Sequence, residues 1–208
     1  MIPALPQSVE LLERALGYTR GRLAGVTAAR LHAPTPCAEW ELHDLLAHMD
    51  DALDAFLEAA GGVVALRSRP VDASAADTVT RVQVKACALV GVWTAAARQG
   101  VGSIDVGGQP VPSGLLVGTA ALEVAVHGWD VGRATGRAAP IPEGLARALR
   151  PVAAAVVTRA DRGIRFADPV RVGQRARPDQ SLLAHLGRWS GPDGQISGIL
   201  QTGTGAGS

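Results

Sequence analysis

Glu123 and His127 stand four residues apart in the stretch ALEVAVHGWD. On an α-helix that spacing sets the two side chains one turn apart on the same face. A carboxylate and an imidazole so placed can converge on one divalent ion. They can equally form a simple buried hydrogen bond, or Glu123 can pair with an arginine from another helix. Burial makes the question a chemical one. Leu116, Thr119, Ala120, Val126 and Asp130 share the Glu123 face, and Leu115, Leu122, Ala125 and Trp129 lie opposite. A helix apolar nearly all round is enclosed by others. A carboxylate inside it is costly unless it is paired, protonated or bound to a metal. A further ligand would come from the remaining histidines, His32, His43, His48 and His185. His43 and His48 flank the apolar stripe of another helix on opposite sides, and periodicity does not choose between them. His32, before a Pro-rich loop, and His185, in a short C-terminal helix, read as surface or packing residues.

The elements that must position these groups are helices. The first is expected from a Ser8 N-cap to about Leu23, with Leu12, Leu16, Thr19, Leu23 and Val26 on one stripe. APTPCAEW breaks the pattern, since two prolines in four residues cannot continue a helix. A second helix is expected from about Glu41 to Ala60, ended by Gly61-Gly62. A third starts at Ser74, whose side chain can cap it with Asp77 three residues on, and runs through Val82, Leu89, Trp93 and Ala96. Residues 100–113 read as a long Gly- and Pro-rich connection. A fourth helix follows from about Gly114 to Thr135, stopped by Gly136. A fifth begins with Pro142 as its first residue, is kinked at Pro151 and reaches about Arg159. Beyond it FADPVRV reads as a short strand, SLLAHLGR as a short helix, GPDGQISGIL as a hairpin and the tail from about 201 as disordered. The fold class is mainly α: a four-helix bundle, expected to be antiparallel, with a fifth helix and a short irregular C-terminal segment. The expected division is 1–160 for the metal-binding bundle and 161–208 for the appendage.

Composition agrees with close helix packing. Apolar residues make up 47% of the chain but aromatics only 3%, so the core is built from Ala, Val and Leu. The formal charge of +1 offers no footprint for nucleic acid or an anionic membrane. The longest apolar run is interrupted by Glu123 and His127, which argues against a membrane span. Cys37 and Cys87 lack CxxC spacing and read as buried or idle thiols of a reducing cytoplasm, with a disulfide as the alternative. With no signal peptide in the N-terminal residues, the expected location is cytoplasmic, and the expected state a monomer or homodimer.

TPCAEWELHDLLAHM, followed much later by ALEVAVHGWDVGRATG, resembles the actinobacterial branch of the DinB-like metal-binding bundles. That branch includes the N-terminal domain of mycothiol-dependent maleylpyruvate isomerase. The family pattern has a Pro-containing loop ending in Trp, then a helix carrying a ligand histidine. Later come an acidic residue or histidine, three residues, and a histidine followed by a Trp-Asp-like pair. The resemblance covers about residues 8–160. It places the first ligand at His48 rather than His43, in LLAHM, and the others at Glu123 and His127, in EVAVH. Two imidazoles and one carboxylate leave a site open to water or substrate, as in many catalytic zinc centres. Zinc is expected, and nickel or iron(II) suits the same donors. Asp130 and Asp44 are candidates to orient the imidazoles, and each also reads as a cap or salt-bridge residue. Trp40 and Trp129 are expected to be packing residues at the bundle's end, with a role in lining the pocket as the alternative reading.

The resemblance also implies that the open position takes the thiolate of a low-molecular-weight thiol, mycothiol in the actinobacterial members. Coordination to a divalent cation deprotonates a thiol that otherwise titrates near ~8.5. The expected function is therefore a metal- and thiol-dependent S-transferase or isomerase acting on an electrophilic small molecule. The family's isomerase carries a larger C-terminal domain than the segment after the fifth helix here, which tilts the expectation toward thiol transfer. Two other readings stay open: a non-catalytic metal-binding bundle used in sensing or stress-related binding, and a metal-dependent hydrolase.

Overall fold

Apolar residues at three-four spacing give four long helices: α1 (Leu5–Leu23), α2 (Leu42–Ala60), α3 (Ala75–Arg98) and α4 (Ser113–Ala134). A hairpin of β1 (Ser103–Val106) and β2 (Gln109–Pro112) precedes α4, and α5 (Glu143–Val156) and α6 (Pro178–His185) follow it. The computed structural model of the chain describes residues 2–37, 40–61, 74–163 and 166–188. Most of the 22 residues of α4 are buried, as its all-round apolarity requires.

The direction of the helices departs from the expected antiparallel bundle. Ser8 meets Gly114 and Thr19 meets Val124, so α1 and α4 run parallel. Asp50 pairs with Arg81 and Asp54 with Lys85, so α2 and α3 also run parallel. Helix α2 opposes α4, with Cys37 ahead of α2 beside Asp130 and His48 beside Glu123. The order is up, down, down, up. Spacing patterns fix which face of a helix is buried, not which way its neighbour points.

Small residues let α1 and α4 approach closely. A side chain on Gly128 would fall on the Thr19 hydroxyl, which itself donates to the Val124 carbonyl at 2.8 Å. Between α2 and α3 the buried Asp50 accepts from Arg81 at 3.1 Å and forms an ion pair at 2.8 Å with Lys85, the sole lysine of the chain. Leu182, Leu183 and Leu186 bring the C-terminal segment into the same core as the bundle.

Several local boundaries differ from the sequence reading. Ser8 is not the first N-cap: α1 starts at Leu5, where Pro6 in the first turn needs no N–H acceptor and Gln7 Oε1 accepts from Ala4 N–H at 2.9 Å. Ser8 is buried within the helix and donates to the Gly114 carbonyl at 2.7 Å. The connection over 100–113 contains the β1–β2 hairpin, because Gly107 and Gly108 both adopt positive φ (60° and 82°) and close a two-residue turn. Pro142 caps α5 rather than opening it, and α5 ends at Val156. FADPVRV is no strand: Phe166 makes one isolated bridge to Arg162, and residues 167–173 are irregular. Ser74 caps α3 as expected, its hydroxyl accepting from Asp77 N–H at 3.2 Å. The expected hairpin at 191–200 and the tail after it lie outside the described residues.

Candidate metal centre

Helices α2 and α4 cross so that His48, Glu123 and His127 face one another. One ligand-type atom from each lies within 4.8 Å of the other two. Glu123 Oε2 is 3.1 Å from His127 Nε2 and 3.8 Å from His48 Nε2, and the two rings meet edge-on with centroids 4.9 Å apart. Among the described residues no arginine or lysine pairs with Glu123, and no further His, Cys, Asp or Glu joins the trio. Burial pushes the Glu123 carboxyl up, but hydrogen bonds from His127 and His48 outweigh it and hold the group well below the ordinary carboxylate range.

The second nitrogen of His127 is engaged elsewhere. Nδ1 lies 3.0 Å from Asp130 Oδ2, one turn on along α4. Asp130 is fully buried and is gripped by Arg188, with Nε at 3.0 Å and Nη2 at 2.9 Å. The Cys37 thiol donates to Asp130 at 3.4 Å and accepts from Arg188 Nη2 at 3.3 Å. Burial acts to raise the Asp130 carboxyl, but Arg188 and His127 pull it down to about 2. Burial likewise opposes charge on His127, yet Asp130, Cys37 and Glu123 hold its imidazole well above the ordinary value. A buried carboxylate thus fixes Nδ1–H and turns Nε2 toward Glu123, the arrangement by which ligand histidines are oriented in metal sites.

The trio opens toward solvent on the His48 side. The His48 and Glu123 side chains are 37% and 24% exposed, against 10% for His127. Trp40 covers part of that mouth, its ring 4.9 Å from His48, so it lines the site rather than serving only as packing. Trp129 is a packing residue, buried beneath the Arg133 guanidinium. A groove of about 560 Å³ between α1 and α3 lies on the far side of Met49, Leu53 and Val124, away from the trio.

Of the sequence candidates, His48, Glu123 and His127 come together and Asp130 stands behind them. Asp44 does not orient His48. Its carboxylate instead accepts from Glu41 N–H at 3.1 Å and lies 3.0 Å from His43 Nε2, because in the first turn of α2 it is engaged by the helix's own N-terminus. His43 and His32 lie outside the trio, and His185 lies in α6. Two participants went unread. Cys37, expected to be idle, reaches Asp130 from the Pro-rich loop, and Arg188 reaches it across 58 positions of sequence. No local pattern marks either contact.

Residues 12–132 match the mycothiol maleylpyruvate isomerase N-terminal domain family. The chain belongs to that family. Two Mycobacterium tuberculosis sequences, Uncharacterized protein Rv0738 and Uncharacterized protein MT0763, are each 29% identical over 179 residues, 85% of this chain and 94% of theirs. The crystal structure of the mycothiol-dependent maleylpyruvate isomerase is similar with a TM-score of 0.56 at 17% identity, over 70% of this chain and 68% of that one. A histidine-to-alanine mutant of that enzyme gives 0.55 at the same coverage. At this identity the structural likeness is one of fold. Membership therefore rests on the family match, and the DinB-like bundle on the structures. No described helix is long and apolar enough to cross a membrane.

Proposed function

We propose that this chain is a metal-dependent S-transferase or isomerase that uses a low-molecular-weight thiol, with His48, Glu123 and His127 as the ligands of one divalent ion. Zinc fits two imidazoles and a carboxylate, and nickel or iron(II) suits the same set. The observation that carries the reading is the convergence of two imidazoles and one carboxylate, with no arginine or lysine on Glu123 among the described residues and one face open to solvent. A non-catalytic structural site would fill that face with a fourth side chain, and none is present among the described residues. When bound there, a divalent cation supplies the charge that lowers a thiol's pKa and makes a thiolate nucleophile available at neutral pH.

The protein's own groups prepare the site. Asp130 keeps the proton on His127 Nδ1 and leaves Nε2 free to ligate, and Arg188 keeps Asp130 ionised. Trp40 offers an aromatic wall beside the open face, suited to a planar or unsaturated electrophile. In transfer, the thiol loses its proton to solvent, its sulfur bonds to an electrophilic carbon, and a leaving group departs with the bonding pair. In isomerisation, the sulfur adds to an activated double bond, the resulting single bond rotates, and elimination returns the thiol. The family name supports mycothiol as the thiol and favours a reducing cytoplasmic setting.

The test uses the zinc- or cobalt-loaded protein with mycothiol and a bimane or chlorinated aromatic electrophile. Conjugation should require both metal and thiol and vanish in His48→Ala, and the cobalt protein should gain a sulfur-to-metal band in the near ultraviolet. Ester or amide hydrolysis without any thiol, and no spectral change with one, would replace this reading by a hydrolase. Neither activity would leave a metal-binding bundle.

A further inference from the structure

A second convergence of ligand-bearing side chains lies at the surface, and the centre described above does not use it. His32 Nδ1 is 2.6 Å from Glu41 Oε2, and His43 Nδ1 is 3.3 Å from the same oxygen. The two imidazoles meet edge-on with centroids 5.4 Å apart, and one donor atom of each of the three residues lies within 4.8 Å of the others. The far nitrogen of His43, Nε2, lies 3.0 Å from Asp44 Oδ1. A proton held there leaves the Nδ1 lone pair facing Glu41, the same division of labour that Asp130 imposes on His127 with the two nitrogens exchanged.

The backbone holds this cluster in register. Leu42 N–H donates to the Ala33 carbonyl and His43 N–H to the Leu31 carbonyl, each at 2.9 Å, and Pro34 pairs with Glu41. Residues 31–34 and 41–43 thus form the neck of the loop that delivers Cys37 to Asp130 and Trp40 to His48. The three side chains close that neck on its solvent side.

We propose that His32, Glu41 and His43 form a second divalent-cation site that fastens the neck of this loop. Two imidazoles with one carboxylate select zinc-like transition ions over magnesium or calcium, which take oxygen donors. The His32 side chain is 80% exposed, so this ion exchanges with solvent and is held more weakly than one in the inner trio.

Metal-free protein, stripped with chelator that is then removed, should be titrated with zinc against a chromophoric indicator, with bound metal counted after equilibrium dialysis. Wild type should take up two ions, the second more weakly. His32→Ala/His43→Ala should take up one, and so should Glu41→Gln. Glu123→Ala/His127→Ala should also take up one, now held by the outer trio, with the His32 and His43 ring protons shifting on zinc addition. His32→Ala alone changes only an exposed side chain, keeps the α2 cap and guards against misfolding; it too should lose the weaker ion. A wild type that saturates at one ion, a His32→Ala/His43→Ala protein that still takes two, or an inner-site double variant that takes none would overturn the proposal.

Discussion

Replacing Arg188 by Met tests whether the C-terminal segment is part of the site or merely lies against it. The side chain is 11% exposed and its partner Asp130 is 0% exposed. Methionine preserves much of the length and apolar bulk but removes the Nε and Nη2 donors at 3.0 and 2.9 Å. Breaking a buried ion pair from one side costs about 3–5 kcal/mol, because the other charge stays buried. Asp130 has one escape, which is to take up a proton. From an ordinary value of 3.8, neutralising it at pH 7 costs about 4 kcal/mol at ~1.4 kcal/mol per pH unit, which caps the penalty. His127 and Cys37 still face the carboxylate, so the low end, about 3 kcal/mol, is expected, with a fall in Tm of roughly 10 °C. Urea denaturation of wild type, Arg188→Met, Asp130→Asn and the double variant measures the coupling directly. The double variant should be more stable than the two single losses predict, since no orphan charge remains. Zinc affinity should fall about 10-fold or more in Arg188→Met through the loosened His127, although no ligand is changed. A loss below ~1 kcal/mol that adds without coupling to Asp130→Asn would show the pair to be a spectator and refute the reasoning.

Three further outcomes follow from the same geometry. Glu123→Ala and His127→Ala should each abolish tight binding at the inner site, and chelation should lower the Tm of wild type by more than that of Glu123→Ala/His127→Ala, read by thermal melts with metal analysis. Gly128→Ala should cost about 1–3 kcal/mol in urea denaturation, because the new methyl meets a Thr19 hydroxyl that is fixed on the Val124 carbonyl; an unchanged midpoint would mean α1 and α4 are not in close contact. Burial, aided by Arg162 and Arg150 and opposed by a backbone hydrogen bond at Ala153, holds the His185 imidazole below its ordinary 6.5. With the folded value depressed, its contribution is present above pH 6.5 and lost as pH falls through the folded value. The urea midpoint should therefore drop between pH 7 and 5, and less so in His185→Gln; parallel slopes would count against it.

What the chain discloses about itself divides by distance along the sequence. The all-round apolarity of α4 and the four-residue step from Glu123 to His127 are local, and both were legible. His48 was not legible from periodicity, since His43 flanks the same stripe; only the resemblance of LLAHM to a family pattern chose it. The choice has a physical basis in the fold: His48 faces α4, whereas His43 turns outward to Glu41 and Asp44. The hairpin was marked by Gly107-Gly108 between short alternating runs, but Pro110 and Pro112 in β2 demote it as a strand, which an edge position tolerates. Helix direction, the Cys37 contact and the Arg188 contact are set by tertiary packing between segments far apart, and no spacing within one helix encodes them.

The two nitrogens of His127 explain why so much of the chain converges on one residue. Nε2 is useful to a cation only while the proton stays on Nδ1, and that proton stays only while Asp130 remains an anion in a place with no water to stabilise it. An anion so buried needs a cation. Arg188 supplies it from the segment anchored by Leu182, Leu183 and Leu186. The bundle presents the donors, the Pro-rich loop shapes the open face through Trp40, and the C-terminal segment sets the protonation of the histidine between them. A change in any one of these three segments reaches the same imidazole, although among the described residues only His48, Glu123 and His127 would ligate the proposed inner ion.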